Sequence, residues 1–336
     1  MSARLACPPA PGPLEAYAVQ FDPLLKTPAQ RQGFRTYLSG LLLPRDRSKT
    51  LTALVGAEPL VQAQAAEVQR LQFFLSEAAW DAEAVNVQRL ALLAAEPTTS
   101  ASAEGVLIID DTGDRKDGSA TDHVARQYLG SVGKIDNGIV AVTTLWADEA
   151  HYYPLHVAPY TPAARLPGGK HDVAFQTKPQ IALNLVERAQ AAGIAFGAVV
   201  ADCFYGDDRV LEKALLDRRL PHVLARRGAL GRGRALAKAD HSFNDAAQSL
   251  PLSAWQPVIR RFQDSHTERW WAAELTLFGY GPDKPVRAVC ATTDRGALPA
   301  LSPGTSPPTC RASRRRWAKL CGCTVCAIGW NKATNR

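Results

Sequence analysis

Residues 104–114 read EGVLIIDDTGD, an apolar run of β-formers that halts at two aspartates and a glycine. This is the profile of a buried strand that delivers acids to its C-terminal end. Downstream, KIDNGIVAVTTLWAD (134–148) and HYYPLHVAPYTP (151–162) predict two more strands, the first alternating and the second rich in aromatic residues. TKPQIALNLVERAQAAG (177–193) then predicts an amphipathic helix with Gly193 as its C-terminal cap. AFGAVVADCFYG (195–206) repeats the opening theme, an apolar strand that ends on Asp202. DDRVLEKALLDRR (207–219) predicts a helix and PHVLARR (221–227) a short strand.

The element order is therefore three strands, helix, strand, helix, strand. Three sequential strands able to pair as a meander, followed by helix–strand crossovers, describe an α/β fold with a mixed sheet and flanking helices. That is the order of the ribonuclease-H-like fold, in which the first and fourth strands are neighbours. Asp111 and Asp202 are then expected to converge. ERWWAAELTLFGYGPDKPVRAVCATTD (268–294) predicts two strands around a Gly-Pro-Asp turn, within a β insertion at about 240–302.

Upstream of the sheet, residues 28–98 read as a small all-helical domain. Thr27 is placed as an N-cap before Pro28, with Phe34, Tyr37, Leu38, Leu41 and Leu42 at helical spacing and Pro44 closing the helix. EPLVQAQAAEVQRLQFFLSEAAW and DAEAVNVQRLALLAAE continue the helical period to Pro97. The basic residues of these helices can contact phosphates or line a solvated face. Residues 1–27, with four prolines in their first 18 positions, are expected to be flexible. They lack the apolar core of a signal peptide, and no run approaches the roughly 18 apolar residues of a membrane span. A cytoplasmic protein with no membrane partner is the expectation.

Charge is distributed unevenly. The net charge of +7 is carried by seven basic residues beyond Pro303 (Arg311, Arg314, Arg315, Arg316, Lys319, Lys332 and Arg336), which leaves residues 1–302 balanced. Four of the seven cysteines (Cys310, Cys321, Cys323 and Cys326) fall in the same stretch, and the last acidic residue is Asp294.

Two carboxylates gathered at strand ends repel each other unless cations lie between them. Hard oxygen ligands that leave room for water suit Mg²⁺ or Mn²⁺. An ion pair of that kind activates a water or hydroxyl and stabilises the leaving oxygen in phosphodiester displacement. Taken singly, Asp-Asp-Thr-Gly is also an ordinary turn, and Asp202 an ordinary helix cap. His151, His156 and His171 are scattered, and GALGRGRA (228–235) lacks the Lys-Ser/Thr ending of a phosphate loop.

Three segments carry a family resemblance: IIDDTGDRKDGSATDHVARQYLGSVGKIDNGIVAV, YPLHVAPYTPAARLPGGKHDVAFQTKPQIALNLVERA and VVADCFYGDD. They resemble the DDE transposases of bacterial insertion sequences, in the insertion-sequence-701-like branch. The likeness runs from residue 30 to about 302 and takes in WDAEAV at 80–85. It implies that Asp111, flanked by Asp110 and Thr112, and Asp202 are the first two members of an Asp-Asp-Glu triad. It also implies two Mg²⁺ (or Mn²⁺) ions, DNA cleavage at transposon ends and strand transfer. The implied partners are terminal inverted repeats and target DNA, with a homodimer compatible and nucleoid association when bound.

The family's third acid belongs to a Tyr-x2-Arg-x3-Glu-x6-Lys signature, which does not occur after residue 302. A frameshift would account for its absence. Read from the third base of each codon, the G of Trp330 and the AA of Asn331 force GAA, a glutamate. Permitted codon choices place Tyr and Arg at the required spacing before it. Residues 303–336 are accordingly expected to be an out-of-frame, disordered basic tail, leaving the sheet domain incomplete at its C-terminus and the protein inactive. Cys321, Cys323 and Cys326 as part of a zinc site, and the tail as a cationic DNA-binding arm, remain as alternatives. If the tail is native, the third acid is to be sought among Glu212, Glu268 and Glu274.

Overall fold

The structure is a computed structural model that describes residues 12–43, 50–56, 64–226, 232–235, 240–261, 265–278, 285–294 and 324–329. The chain divides into two compact units, residues 1–98 and 99–336.

The first unit contains helices alone among its described residues: α1 (Pro13–Ala18), a 3₁₀ turn (Val19–Leu24), α2 (Pro28–Leu42), α3 (Leu51–Leu54), α4 (Ala66–Ser76) and α5 (Ala82–Ala95). Thr27 caps α2 as the sequence predicts, its side chain and that of Gln30 exchanging bonds with each other's backbone N–H. The expectation of a flexible segment through residue 27 fails for residues 13–25. Ala18, Phe21 and Leu25 are fully buried and pack with Phe34, Leu54, Leu71 and Phe74. Pro13 does not oppose this, because at the start of a helix its missing N–H would be unpaired in any case. Arg35 fixes the arrangement by gripping Glu15 and Asp22 at 2.7 and 2.8 Å.

The second unit is built on one sheet. Its strands are β1 (Val106–Arg115), β2 (Ala125–Leu129), β3 (Lys134–Ala147), β4 (Tyr152–Pro159), β5 (Ala198–Ala201), β6 (His222–Arg226), β7 (Arg232–Ala235), β8 (Asp240–Ser242), β9 (Gln256–Arg261), β10 (Thr267–Phe278), β11 (Pro285–Thr292) and β12 (Thr324–Gly329). Interspersed are α6 (Lys178–Ala191), α7 (Cys203–Gly206), α8 (Arg209–Asp217) and α9 (Phe243–Gln248).

The order along the sheet is β2-β3-β1-β5-β6-β12-β11-β10-β7-β8, with β4 also on β3 and β9 on β10. β3 pairs antiparallel with β1 and β4, while β5 is parallel to both β1 and β6. The sheet is mixed, with β1 and β5 side by side. Alternation on β3 buries Val140, Val142, Thr144 and Trp146 beneath α6, whose buried stripe is Ile181, Ala182, Leu185, Val186 and Ala189.

Two features of the sheet depart from the sequence reading. β1 does not stop at the aspartates: β3 is long enough to partner it through Arg115, and only its pairing with β5 ends at Ile109. Nor is residues 303–336 without structure throughout. Thr324–Gly329, an apolar β-forming run, lies between β6 and β11 and pairs antiparallel with both. The rest of that stretch, including Cys310, Cys321 and Cys323, lies outside the described residues. No helix among the described residues is long and apolar enough to cross a membrane.

Candidate active site at the ends of β1 and β5

The parallel ladder of β1 and β5 closes with Ile109 opposite Ala201. The next residues are Asp110 on one strand and Asp202 on the other, so the register alone brings acids together where the strands part. This is the carboxyl end of a parallel pair, where α/β sheets present their ligand sites.

Each acid is held differently. Asp111 continues the inward face of Leu107 and Ile109, which are fully buried. Its Oδ2 accepts from Lys178 Nζ at 2.7 Å, and its Oδ1 accepts a short hydrogen bond from the hydroxyl of Tyr205. Asp110 accepts from the Asp111 backbone N–H at 2.7 Å, and its carbonyl accepts from Thr143 Oγ1 at 3.0 Å. Asp202 caps α7, accepting from the N–H groups of Phe204 and Tyr205 at 3.0 and 3.4 Å. The cap reading and the site reading of Asp202 are therefore compatible.

Tyr205 ties the two acids together, its backbone bonded to Asp202 and its phenol to Asp111. Gly206 allows this. A β-carbon there would lie 1.9 Å from the carbonyl oxygen of Ala225, so α7 can press onto β6 only because residue 206 is glycine.

The carboxylates act on one another electrostatically. Burial pushes the Asp202 carboxyl above its usual range, and the charges of Asp110 and Asp111 add to the rise. Burial likewise raises Asp110, with Asp111 adding to it against an opposing backbone hydrogen bond. Burial and then the Asp111 charge raise the Tyr205 phenol, which keeps it protonated as a donor.

Lys178 and Tyr205 are the site residues that sequence reading missed. Lys178 had a signal: it precedes Ile181 and Ala182 by three and four positions and so begins the buried stripe of α6. A lysine at the head of an apolar stripe either reaches out to water or takes an acidic partner. Tyr205 offered none beyond its nearness to Asp202.

Other predicted residues fall elsewhere. Thr112 is exposed on β1 opposite Ala141. Glu212 is buried in α8, Glu268 accepts from Trp270 Nε1 at 3.0 Å, and Glu274 is exposed on β10. Asp110 and Asp111 are among the acids that act on Asp202. Among the described residues no three His, Cys, Asp or Glu side chains form a preassembled metal cluster. The donor set nevertheless suits a hard divalent ion, since Asp110, Asp111 and Asp202 supply carboxylate oxygens at the end of the ladder and the ion pair of Lys178 is with Asp111.

Residues 20–242 match the model of the DDE superfamily endonucleases, and the chain belongs to that family. Within it, the chain is 39% identical over 233 residues to the "Probable transposase for insertion sequence element IS701" of Microchaete diplosiphon. That match takes in 69% of this chain and 56% of the relative, so the chain spans little more than half of the relative's length. A solved structure, the NurA nuclease from Sulfolobus solfataricus, aligns with 55% of this chain and 66% of its own at 12% identity and a TM-score of 0.27, too slight a likeness to bear on the fold.

Proposed function

We propose that Asp111 and Asp202 are the divalent-metal ligands of a transposase that cuts DNA at insertion-sequence ends and joins the freed 3′-hydroxyl to target DNA. The observation that carries this is the convergence of Asp111, Asp110 and Asp202 at the open end of the β1–β5 ladder in a member of the DDE endonuclease family. The order β4-β3-β1-β5-β6, antiparallel on one side of β1 and parallel on the other, supports the finer ribonuclease-H-like reading of the core.

Asp111 and Asp202 would hold Mg²⁺ or Mn²⁺, and Asp110 would add negative charge beside them. The bound ion would polarise the phosphate and lower the pKa of the attacking water or hydroxyl. The chain's own contribution is orientation. Tyr205 fixes one oxygen of Asp111, and the backbone of α7 fixes Asp202. The helices of residues 28–98 would grip the terminal inverted repeats, consistent with a cytoplasmic protein that meets the nucleoid through DNA.

The 336 residues contain no acid after Asp294, where the resemblance places the third acid of the triad. For that reason we propose that this polypeptide by itself does not nick DNA, and that residues 303–336 are out of frame. Incubation of the 336-residue chain with its own transposon ends and Mg²⁺ should yield no nicked product. Nicking that Asp111→Ala abolishes would overturn the inactivity. Sequencing of the locus beyond codon 295 tests the frame. The same missing acid favours a second reading, a non-catalytic protein that occupies the inverted repeats. A gel shift that survives Asp111→Ala and is lost on removal of residues 1–98 would support it.

A further inference from the structure

Lys178 reaches the acids from the first turn of α6, in a position that a lysine rarely takes. It heads the stripe that Ile181, Ala182 and Leu185 bury against the sheet, and its side chain is only 16% exposed. The ammonium lies 5.2 Å from the ring centre of Phe204 and 5.6 Å from that of Tyr160, and 2.7 Å from Asp111 Oδ2. Aromatic faces stabilise a cation without neutralising it. The group is thus caged as a cation and directed at one carboxylate oxygen.

Both oxygens of Asp111 are engaged, but the two partners are not equivalent toward a metal. The Tyr205 hydroxyl is neutral, and a carboxylate oxygen can accept from it while a second lone pair binds an ion. An ammonium on Oδ2 cannot share that oxygen with a divalent cation, because the two positive charges would lie within a few ångströms in a partly dehydrated site.

We propose that Lys178 is a positioning residue that stands in for the metal: it neutralises and orients Asp111 before an ion arrives, and a divalent ion binds only by displacing it. The inference rests on the reading that Asp111 and Asp202 take such an ion. Lys178 therefore opposes metal binding, and the aromatic cage of Tyr160 and Phe204 keeps it beside the site after it lets go.

The test is Mn²⁺ titration of the full chain at neutral pH by calorimetry, with Lys178→Met, Lys178→Arg and Asp111→Asn in parallel. Lys178→Met should bind Mn²⁺ on the order of 10-fold more tightly, since the competing charge is gone. Lys178→Arg keeps a competing cation and should stay within about twofold of the parent. An unchanged or weakened affinity in Lys178→Met, in a parent that binds Mn²⁺ through Asp111, overturns the role of Lys178 and leaves the metal reading standing. Absence of binding in both the parent and Lys178→Met overturns both. Binding in Lys178→Met alone supports the proposal in its strongest form. Acetylation of Lys178 in the unaltered chain, followed by mass spectrometry, gives a second readout that does not depend on a variant folding. It should quicken severalfold in saturating Mn²⁺, and an unchanged rate overturns displacement.

Discussion

Two clusters in this protein combine acids with one cation, and they hold those acids in different ways. In the first unit Arg35 donates through Nε and both terminal nitrogens to Glu15 and Asp22, at 2.7 to 3.1 Å. Hydrogen bonds from the guanidinium hold both carboxyls below their usual range. In the second unit the ion pair of Lys178 among the described residues is with Asp111, and Asp110 and Asp202 are pushed upward by burial and by their neighbours. A planar guanidinium serves two carboxylates at once, whereas an ammonium is a point charge. The first cluster is complete as a set of protein groups. In the second, Asp110 and Asp202 accept from backbone N–H groups and Lys178 bonds to Asp111, so the acids are not all tied to one cation as in a staple.

The sharpest way to break this comparison is to remove one acid from each cluster and titrate Mn²⁺. Asp111→Asn should weaken binding on the order of 100-fold or more, beyond the 10–100-fold that loss of a supporting group typically costs. Glu15→Gln should leave it unchanged, and a comparable loss there would show that the two clusters do not differ in kind. Next in size is Gly206→Ala. The new methyl meets the Ala225 carbonyl at 1.9 Å, an overpacking that should cost about 1–3 kcal/mol of stability by chemical denaturation. It should also weaken Mn²⁺ binding, because α7 carries both the Asp202 cap and Tyr205. A Gly206→Ala chain with parent-like affinity would mean that the seating of α7 does not matter to the acids.

Much of the second cluster was legible because it depends on local signals. Thr177 and Gly193 bound α6 as the sequence predicts, with Gly193 at φ 74° after the last turn. The apolar runs before Asp110 and Asp202 become neighbouring strands. What was not legible depends on tertiary choice. Tyr205 is an aromatic residue on a four-residue helix, and only the register of β1 against β5 puts Asp111 within its reach. β2 (ARQYL) alternates in burial but not in the polarity of its residues, and β9 is exposed throughout, so neither could be read as a strand from hydropathy. The prolines near the N-terminus read as disorder, yet Pro13 opens a helix whose Ala18 is fully buried. TVCAIG had strand character, but a tail so basic and so rich in cysteine concealed it.

The Arg35 cluster should also show itself in pH dependence. Its two carboxyls have folded pKa values below their unfolded ones, so the folded state binds fewer protons than the unfolded state in acid. The stability they contribute is therefore fully present above the unfolded value of about 4, and is lost as pH falls through the depressed values. Hydrogen exchange of the Pro28–Leu42 amides should accelerate, after correction for intrinsic rates, as pH drops below about 4. Arg35→Met should remove most of that acid-induced change. If the variant and the parent respond alike, Arg35 is not what holds the two carboxyls down.

The smallest expected effect on stability is at Asp202. Asparagine caps a helix about as well as aspartate, so Asp202→Asn should keep the bonds to the Phe204 and Tyr205 N–H groups. It also removes one of three mutually repelling carboxylates, which offsets whatever capping is lost. The net change should lie within about 0.5 kcal/mol of zero, the range of substitutions that break no core or network contact. Mn²⁺ affinity should nevertheless fall, since an amide oxygen is a weaker ligand for a hard cation than a carboxylate. A group that costs the fold nothing to lose but costs the metal its ligand is present for the site. If Asp202→Asn instead destabilises the chain by several kcal/mol, its charge serves the fold, and the contrast with Glu15 and Asp22 disappears.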